Sequence, residues 1–144
     1  MTPVRRTAGT LVALAALAIG LALPATETAN AASLDQKTFT WNRSMTTGDC
    51  SIVPGAKWTL YSDGTARLDA TAFSADGDDA WLMWARLLDE DRAVLGELRV
   101  SGSSSTKFVK NLPVPFRRYR WIAGGRFDPD LFDLVEHMSL SKHC

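Results

Sequence analysis

The stretch Ala56-Lys57-Trp58-Thr59-Leu60-Tyr61-Ser62-Asp63-Gly64-Thr65-Ala66-Arg67-Leu68-Asp69-Ala70 decides the fold. Apolar and polar residues alternate on both sides of Ser62-Asp63-Gly64, the period-two pattern of half-buried strands around a turn. Turn length sets which residues face each other. A two-residue Asp-Gly loop places Trp58 beside Asp69 and Leu60 beside Arg67, which mixes the faces. A three-residue loop, with Gly64 left-handed as a bulge, pairs Leu60 with Ala66 and Trp58 with Leu68. Ala56, Trp58, Leu60, Ala66, Leu68 and Ala70 then share one apolar face. Lys57, Thr59, Arg67, Asp69 and Thr71 face the other way. Small alanines opposite a Trp and a Leu suit a core, so the three-residue loop is expected.

A second hairpin follows through Asp89-Glu90-Asp91-Arg92. Pairing Leu88 with Ala93 puts Trp81, Met83, Ala85, Leu87, Val94, Gly96, Leu98 and Val100 on a core face. The opposite face is mixed: Leu82, Trp84, Arg86, Leu88, Leu95, Glu97 and Arg99, with Trp84 opposite Glu97. A helix is the rival over 80–92, because Trp81, Trp84, Ala85 and Leu88 also fit a helical stripe. The bracketing turn residues favour strands.

Extending the pattern outward gives further runs at Lys37–Arg43, Thr106–Lys110, Pro115–Ile122 and Val135–His143. Asp128, Pro129 and Asp130 suit the start of one short helix ending near Leu134. The expected fold is all-β: about eight short antiparallel strands around one core, in a compact sandwich or a small closed barrel. Ser101-Gly102-Ser103-Ser104-Ser105-Thr106 reads as a surface loop.

The N-terminus predicts export. Arg5 and Arg6 form a positive region, Leu11 to Leu23 an apolar run, and Ala29-Asn30-Ala31 a cleavage site. Residues 1–31 read as a signal peptide and 32–144 as a single secreted domain. The apolar run is shorter than the roughly 20 residues that span a bilayer, so no membrane span is expected after cleavage. The general secretory route fits better than twin-arginine export, which Thr7-Ala8-Gly9 continues poorly. The whole chain carries 16 basic and 16 acidic residues. With Arg5, Arg6 and Glu27 set aside, 14 and 15 remain, so no global field points to nucleic acid or an anionic membrane. Cys50 and Cys144 both fall in the exported part, where an oxidising environment favours one disulfide. Closing so long a loop stabilises by roughly 4–5 kcal/mol in the chain-entropy model, less any strain.

The spacings disfavour several chemistries. A glycosidase needs two acids roughly 5–9.5 Å apart, yet most acids sit in turns, and only Asp69, Glu97 and Glu136 fall in expected strands. Asp76-Gly77-Asp78-Asp79 lacks the alternating acids and distal Glu of a calcium loop. His137 and His143 lie about 20 Å apart on one strand, too far to share a zinc ion. There is no nucleophile elbow, phosphate loop or dinucleotide fingerprint. No catalytic residue, metal or cofactor is expected.

Two constellations suit binding. In Phe116-Arg117-Arg118-Tyr119-Arg120-Trp121, with Arg126 beyond, arginines alternate with rings and could grip a polyanion, sugars or bases. Alternation sends Phe116, Arg118, Arg120 and Ile122 one way and Arg117, Tyr119 and Trp121 the other, so a strand with buried rings and solvated arginines gives the same pattern. The second constellation is the mixed face of Trp84, Arg86, Glu97 and Arg99, which is either covered by a loop or left as an interface. The candidate binding residues are Trp84, Arg86, Glu97, Arg99, Arg118 and Arg120.

Four segments carry a family resemblance. They are Phe39-Thr40-Trp41 with Gly48-Asp49-Cys50; Trp58 to Ala66; Asp78-Asp79-Ala80-Trp81-Leu82-Met83-Trp84; and Phe127-Asp128-Pro129 through Cys144. Together they resemble a group of small exported actinobacterial proteins, a domain of unknown function. That resemblance covers nearly all of 32–144 and implies no activity, cofactor or partner. The leading expectation is a secreted, monomeric, non-enzymatic domain that binds a secreted protein or a cell-envelope polymer, with nucleic acid not expected. A small extracellular hydrolase and a barrel-shaped carrier of small ligands are the alternatives.

Overall fold

The computed structural model describes residues 32–144. The expected signal peptide, residues 1–31, lies outside the described residues. Eleven strands form two antiparallel sheets. They are β1 Gln36–Trp41, β2 Met45–Thr47, β3 Cys50–Ile52, β4 Ala56–Tyr61, β5 Thr65–Ser74, β6 Asp79–Leu88, β7 Val94–Glu97, β8 Arg99–Val100, β9 Phe108–Leu112, β10 Tyr119–Arg126 and β11 His137–His143. The larger sheet runs β1-β4-β5-β10-β8, with β3 also on β5 and β2 on β3. The smaller runs β11-β6-β7, with β9 also on β6. The sheets do not close into a barrel, so the fold is a sandwich, and the enclosure that a barrel carrier needs is not formed.

The first hairpin has the expected register: Trp58 opposes Leu68 and Leu60 opposes Ala66. Gly64 is left-handed at φ 83°. A Cβ there would come within 2.6 Å of the Phe127 carbonyl oxygen, so the bend and its close neighbour both require glycine. Asp63 anchors the turn by accepting from the backbone N–H and hydroxyl of Thr65. Those bonds hold its carboxyl below the usual range. All six residues of the expected apolar face are buried.

That face meets Trp81, Met83, Ala85 and Leu87 of β6, and Phe108, Leu98, Leu112 and Trp121 are among the residues that join them in the core. Trp58 and Phe108 meet edge to face at 5.0 Å, a favoured aromatic geometry. Cys50 opens β3 in the larger sheet, and Cys144 follows β11 in the smaller. Their disulfide, Cα to Cα 5.8 Å, therefore staples one sheet to the other. Lys37 adds a second tie: its ammonium donates to the carbonyls of Asp133 and Val135 and pairs with Glu136.

The second hairpin departs from expectation. Leu88 opposes Val94, Leu87 opposes Gly96 and Arg86 opposes Glu97, with a bulge between Leu87 and Leu88. The turn is wider because Asp89 Oδ1 accepts from the N–H groups of Asp91 and Ala93, and Arg92 is left-handed. Ala93 is thereby held in the loop, and Val94 is 59% exposed rather than in the core. Trp84 opposes Ser141 of β11, not Glu97. The expected strand 93–100 also divides. β7 belongs to the smaller sheet and β8 to the larger, with buried Leu98 at the crossing.

Three further differences are local. The expected strand Pro115–Ile122 begins only at Tyr119, because Pro115 lacks an N–H and Phe116 is left-handed at φ 58°. β2 and β3, joined by a turn with left-handed Gly48, lacked a signal because three-residue strands show no alternation. The short helix is a 3-10 helix, Pro129–Leu134, capped by Asp128 as expected.

Candidate functional site

Alternation along β6 sends Leu82, Trp84 and Arg86 outward from the core. On β11, Met138 and Leu140 pack on the core, so His137, Ser139, Ser141 and His143 face outward. The resulting outer face of the smaller sheet has three rows. His143, Leu82 and Val109 form one; Ser141 and Trp84 form the next; Ser139, Arg86 and Glu97 form the third. Trp84 and Leu82 are half-buried and lie outside the core cluster. Val109 is 46% exposed. Arg86 Nε donates to Glu97 Oε1 at 2.9 Å, so this charge pair closes on itself.

The other candidates lie elsewhere. Arg99 stands on β8, on the outer face of the larger sheet, because its neighbour Val100 packs on the core. Arg120 projects from β10 on that same face and grips Asp69 through Nε and Nη2, at 3.3 and 3.0 Å. Its guanidinium bonds hold the Asp69 carboxyl below the ordinary range. Arg118 is exposed in the loop before β10, where no strand alternation applies. Trp121 is buried and Tyr119 half-buried, so within β10 the rings turn inward and Arg120 and Ile122 face solvent. Thus Trp84, Arg86 and Glu97 come together, whereas Arg118 and Arg120 belong to other surfaces.

Between these regions runs an open groove of about 860 Å³, lined by Leu95, Glu97, Arg99, Ser103, Arg126 and Phe127 among others. It lies where the chain crosses between sheets at Leu98. Ser103 and Ser104 bring the serine-rich loop to its rim. Arg126, noted in sequence beyond the Phe116–Trp121 run, ends β10, which extends past the expected end at Ile122.

The three acids of the expected strands and both cysteines are already engaged. Asp69 pairs with Arg120, Glu97 with Arg86 and Glu136 with Lys37. Cys50, Asp79 and Cys144 converge within ligand distance, but both sulfurs are consumed by the disulfide. The buried Ser74 hydroxyl donates to Asp79 and accepts from the N–H groups of Asp76 and Gly77, which organises that turn. His137 and His143 sit at opposite ends of β11, opposing Leu88 and Leu82.

Fold and surfaces define a disulfide-stapled two-sheet sandwich with two unlike outer faces. The chain belongs to a family of unknown function, DUF6294, whose model matches residues 57–144. Three of the four resembling segments fall in this range; Phe39-Thr40-Trp41 and Gly48-Asp49-Cys50 precede it. No curated protein and no solved structure matches the chain.

Proposed function

We propose that this is an exported, non-enzymatic domain that binds a macromolecule, a secreted protein or a cell-envelope polymer, through the outer face of the smaller sheet. The observation that carries the reading is the outward Trp84, set between Leu82 and Ser141 with exposed Val109 beside it. A half-exposed aromatic beside an arginine is a typical anchor of interfaces. The Arg86–Glu97 pair offers this patch a charged margin whose net charge is zero.

Equilibrium binding of the purified protein to cell-envelope fractions and to secreted proteins of its host tests the reading. Trp84→Ala should weaken capture by at least about tenfold, the loss of a central aromatic anchor. Undiminished capture by this variant removes the face from the function. Export has its own check, a non-reducing mass of the protein recovered outside the cell. The expected form starts near Ala32 and lacks two hydrogens; an uncleaved or reduced chain overturns it.

A further inference from the structure

We propose that the outer face of the larger sheet binds a linear, base-free polyanion. This face is distinct from the Trp84 surface and stands or falls independently of it. Alternation places Lys57 of β4, Arg67 of β5, Arg120 and Arg126 of β10, and Arg99 of β8 on outward positions. The sheet's one outward strand acid is Asp69, and Arg120 already holds it. Residues 32–144 carry 14 bases and 15 acids. Among the described residues, four unpaired cations beside one Arg120–Asp69 pair on these strand positions are therefore a segregation of charge, not a reflection of composition.

The register sharpens the point. Arg99 and Arg126 are direct cross-strand partners on this face. Like charges placed opposite each other destabilise a sheet. Among the described residues neither takes part in an ion pair. Of the two acids lining their groove, Glu97 pairs with Arg86 and Asp128 caps the 3-10 helix through the N–H of Asp130; among the described residues neither forms an ion pair with Arg99 or Arg126. An anionic ligand group bridging both guanidiniums would relieve the repulsion through paired N–H donors. Ser103 and Ser104 at the groove rim add hydroxyls.

From this pair the cations continue as a diagonal. Arg126 opposes Thr65, Arg67 opposes Gly124 two residues on, and Lys57 opposes Asp69 two residues further. Arg99, Arg126, Arg67 and Lys57 thus occupy four adjacent strands, one each. At about 4.8 Å per strand and 3.3 Å per residue of stagger, the track is roughly 20 Å long. Its length suits several charges of one flexible chain. Thr59 and Thr65 lie between the cations; Tyr61 stands beside the track, and Phe127, which lines the groove, is packed against the core. Nucleic acids are held by stacking on rings as well as by charge. The face offers charge and hydroxyls, which fits a polymer of phosphodiester or carboxylate repeats without bases.

The test titrates the purified protein with poly(glycerol phosphate), a polyuronate and a single-stranded oligonucleotide of matched charge, at low and high salt. At least one base-free polymer should bind, and more tightly than the oligonucleotide. Binding should weaken steeply with salt through counterion release. Arg67→Glu with Arg126→Glu should reduce affinity at least about tenfold and flatten the salt slope. Arg67→Gln with Arg126→Gln should give a smaller loss in the same direction. Lys107→Glu, an exposed change just before β9 on the other sheet, should leave polymer affinity unchanged. No binding at low salt, equal binding by the reversed-charge variant, or tighter binding of the oligonucleotide overturns the proposal.

Discussion

The two outer faces of the sandwich rest on one core and follow one alternation, yet they differ in how their charges are satisfied. On the smaller sheet, Arg86 meets Glu97 across strands, and Trp84 lies among Leu82, Ser141 and Val109. On the larger, Arg99 meets Arg126, and of the outward cations only Arg120 has an acid. The difference teaches that residue type alone does not mark a charged surface. Cross-strand register decides whether an arginine is neutralised or left available.

The largest expected effect removes the support that both faces share. Trp81 and Trp84 lie three residues apart on β6, one fully buried and the other outward. Trp81→Ala should cost about 3–5 kcal/mol, the usual range for a core aromatic. Trp84→Ala should cost about 1 kcal/mol or less, since its face contributes no core packing. Urea unfolding of the two variants measures the contrast; equal losses would make Trp84 a core residue.

Next comes the staple that ties the sheets together. Replacing Cys50 and Cys144 by alanine should cost about 2–5 kcal/mol. A thermal melt with and without reductant should reproduce the loss in the unaltered protein and show none in the double variant.

Gly64→Ala tests the turn that sets the larger sheet. Its left-handed φ and the 2.6 Å approach to Phe127 predict a destabilisation of about 1–3 kcal/mol. An unchanged denaturation midpoint would contradict the three-residue turn.

The smallest effect concerns the one acid of the cationic face. The folded Asp69 carboxyl titrates below its ordinary value of 3.8 because Arg120 bonds it. Its contribution is present above the unfolded value and is lost as pH falls through the lower folded one. The pair is solvent-exposed, so the gain is small. Asp69→Asn should slightly flatten the acid limb of a stability–pH curve below pH 3.8. The same change should tighten polyanion binding by removing the face's only outward strand acid.

Legibility followed locality. The Trp58 hairpin could be read because a three-residue turn fixes register within fifteen residues of chain. The Trp84 hairpin misled by two positions, because Asp89 captures two backbone N–H groups and a bulge absorbs the difference. The Trp84 face itself was recognised, whereas its partner was assigned wrongly: Ser141 comes from the last strand, far along the chain. The expected alternation held for Tyr119, Arg120, Trp121 and Ile122 within β10, whereas Arg118 fell outside it because the backbone leaves the strand at Pro115 and Phe116.

By itself the sequence determined the all-β class, the apolar face of β4 and β5, the capped short helix and the cysteine pairing. These follow from period-two alternation, turn chemistry and the availability of two thiols. Only the tertiary structure decided that the sheets stay open, that the chain changes sheet at Leu98, and which arginines find acids. Arg120 and Asp69 are 51 residues apart in sequence. Arg99 and Arg126 meet only because β8 joins the edge of β10. Such pairings arise from how distant strands align, and local pattern carries no record of that alignment.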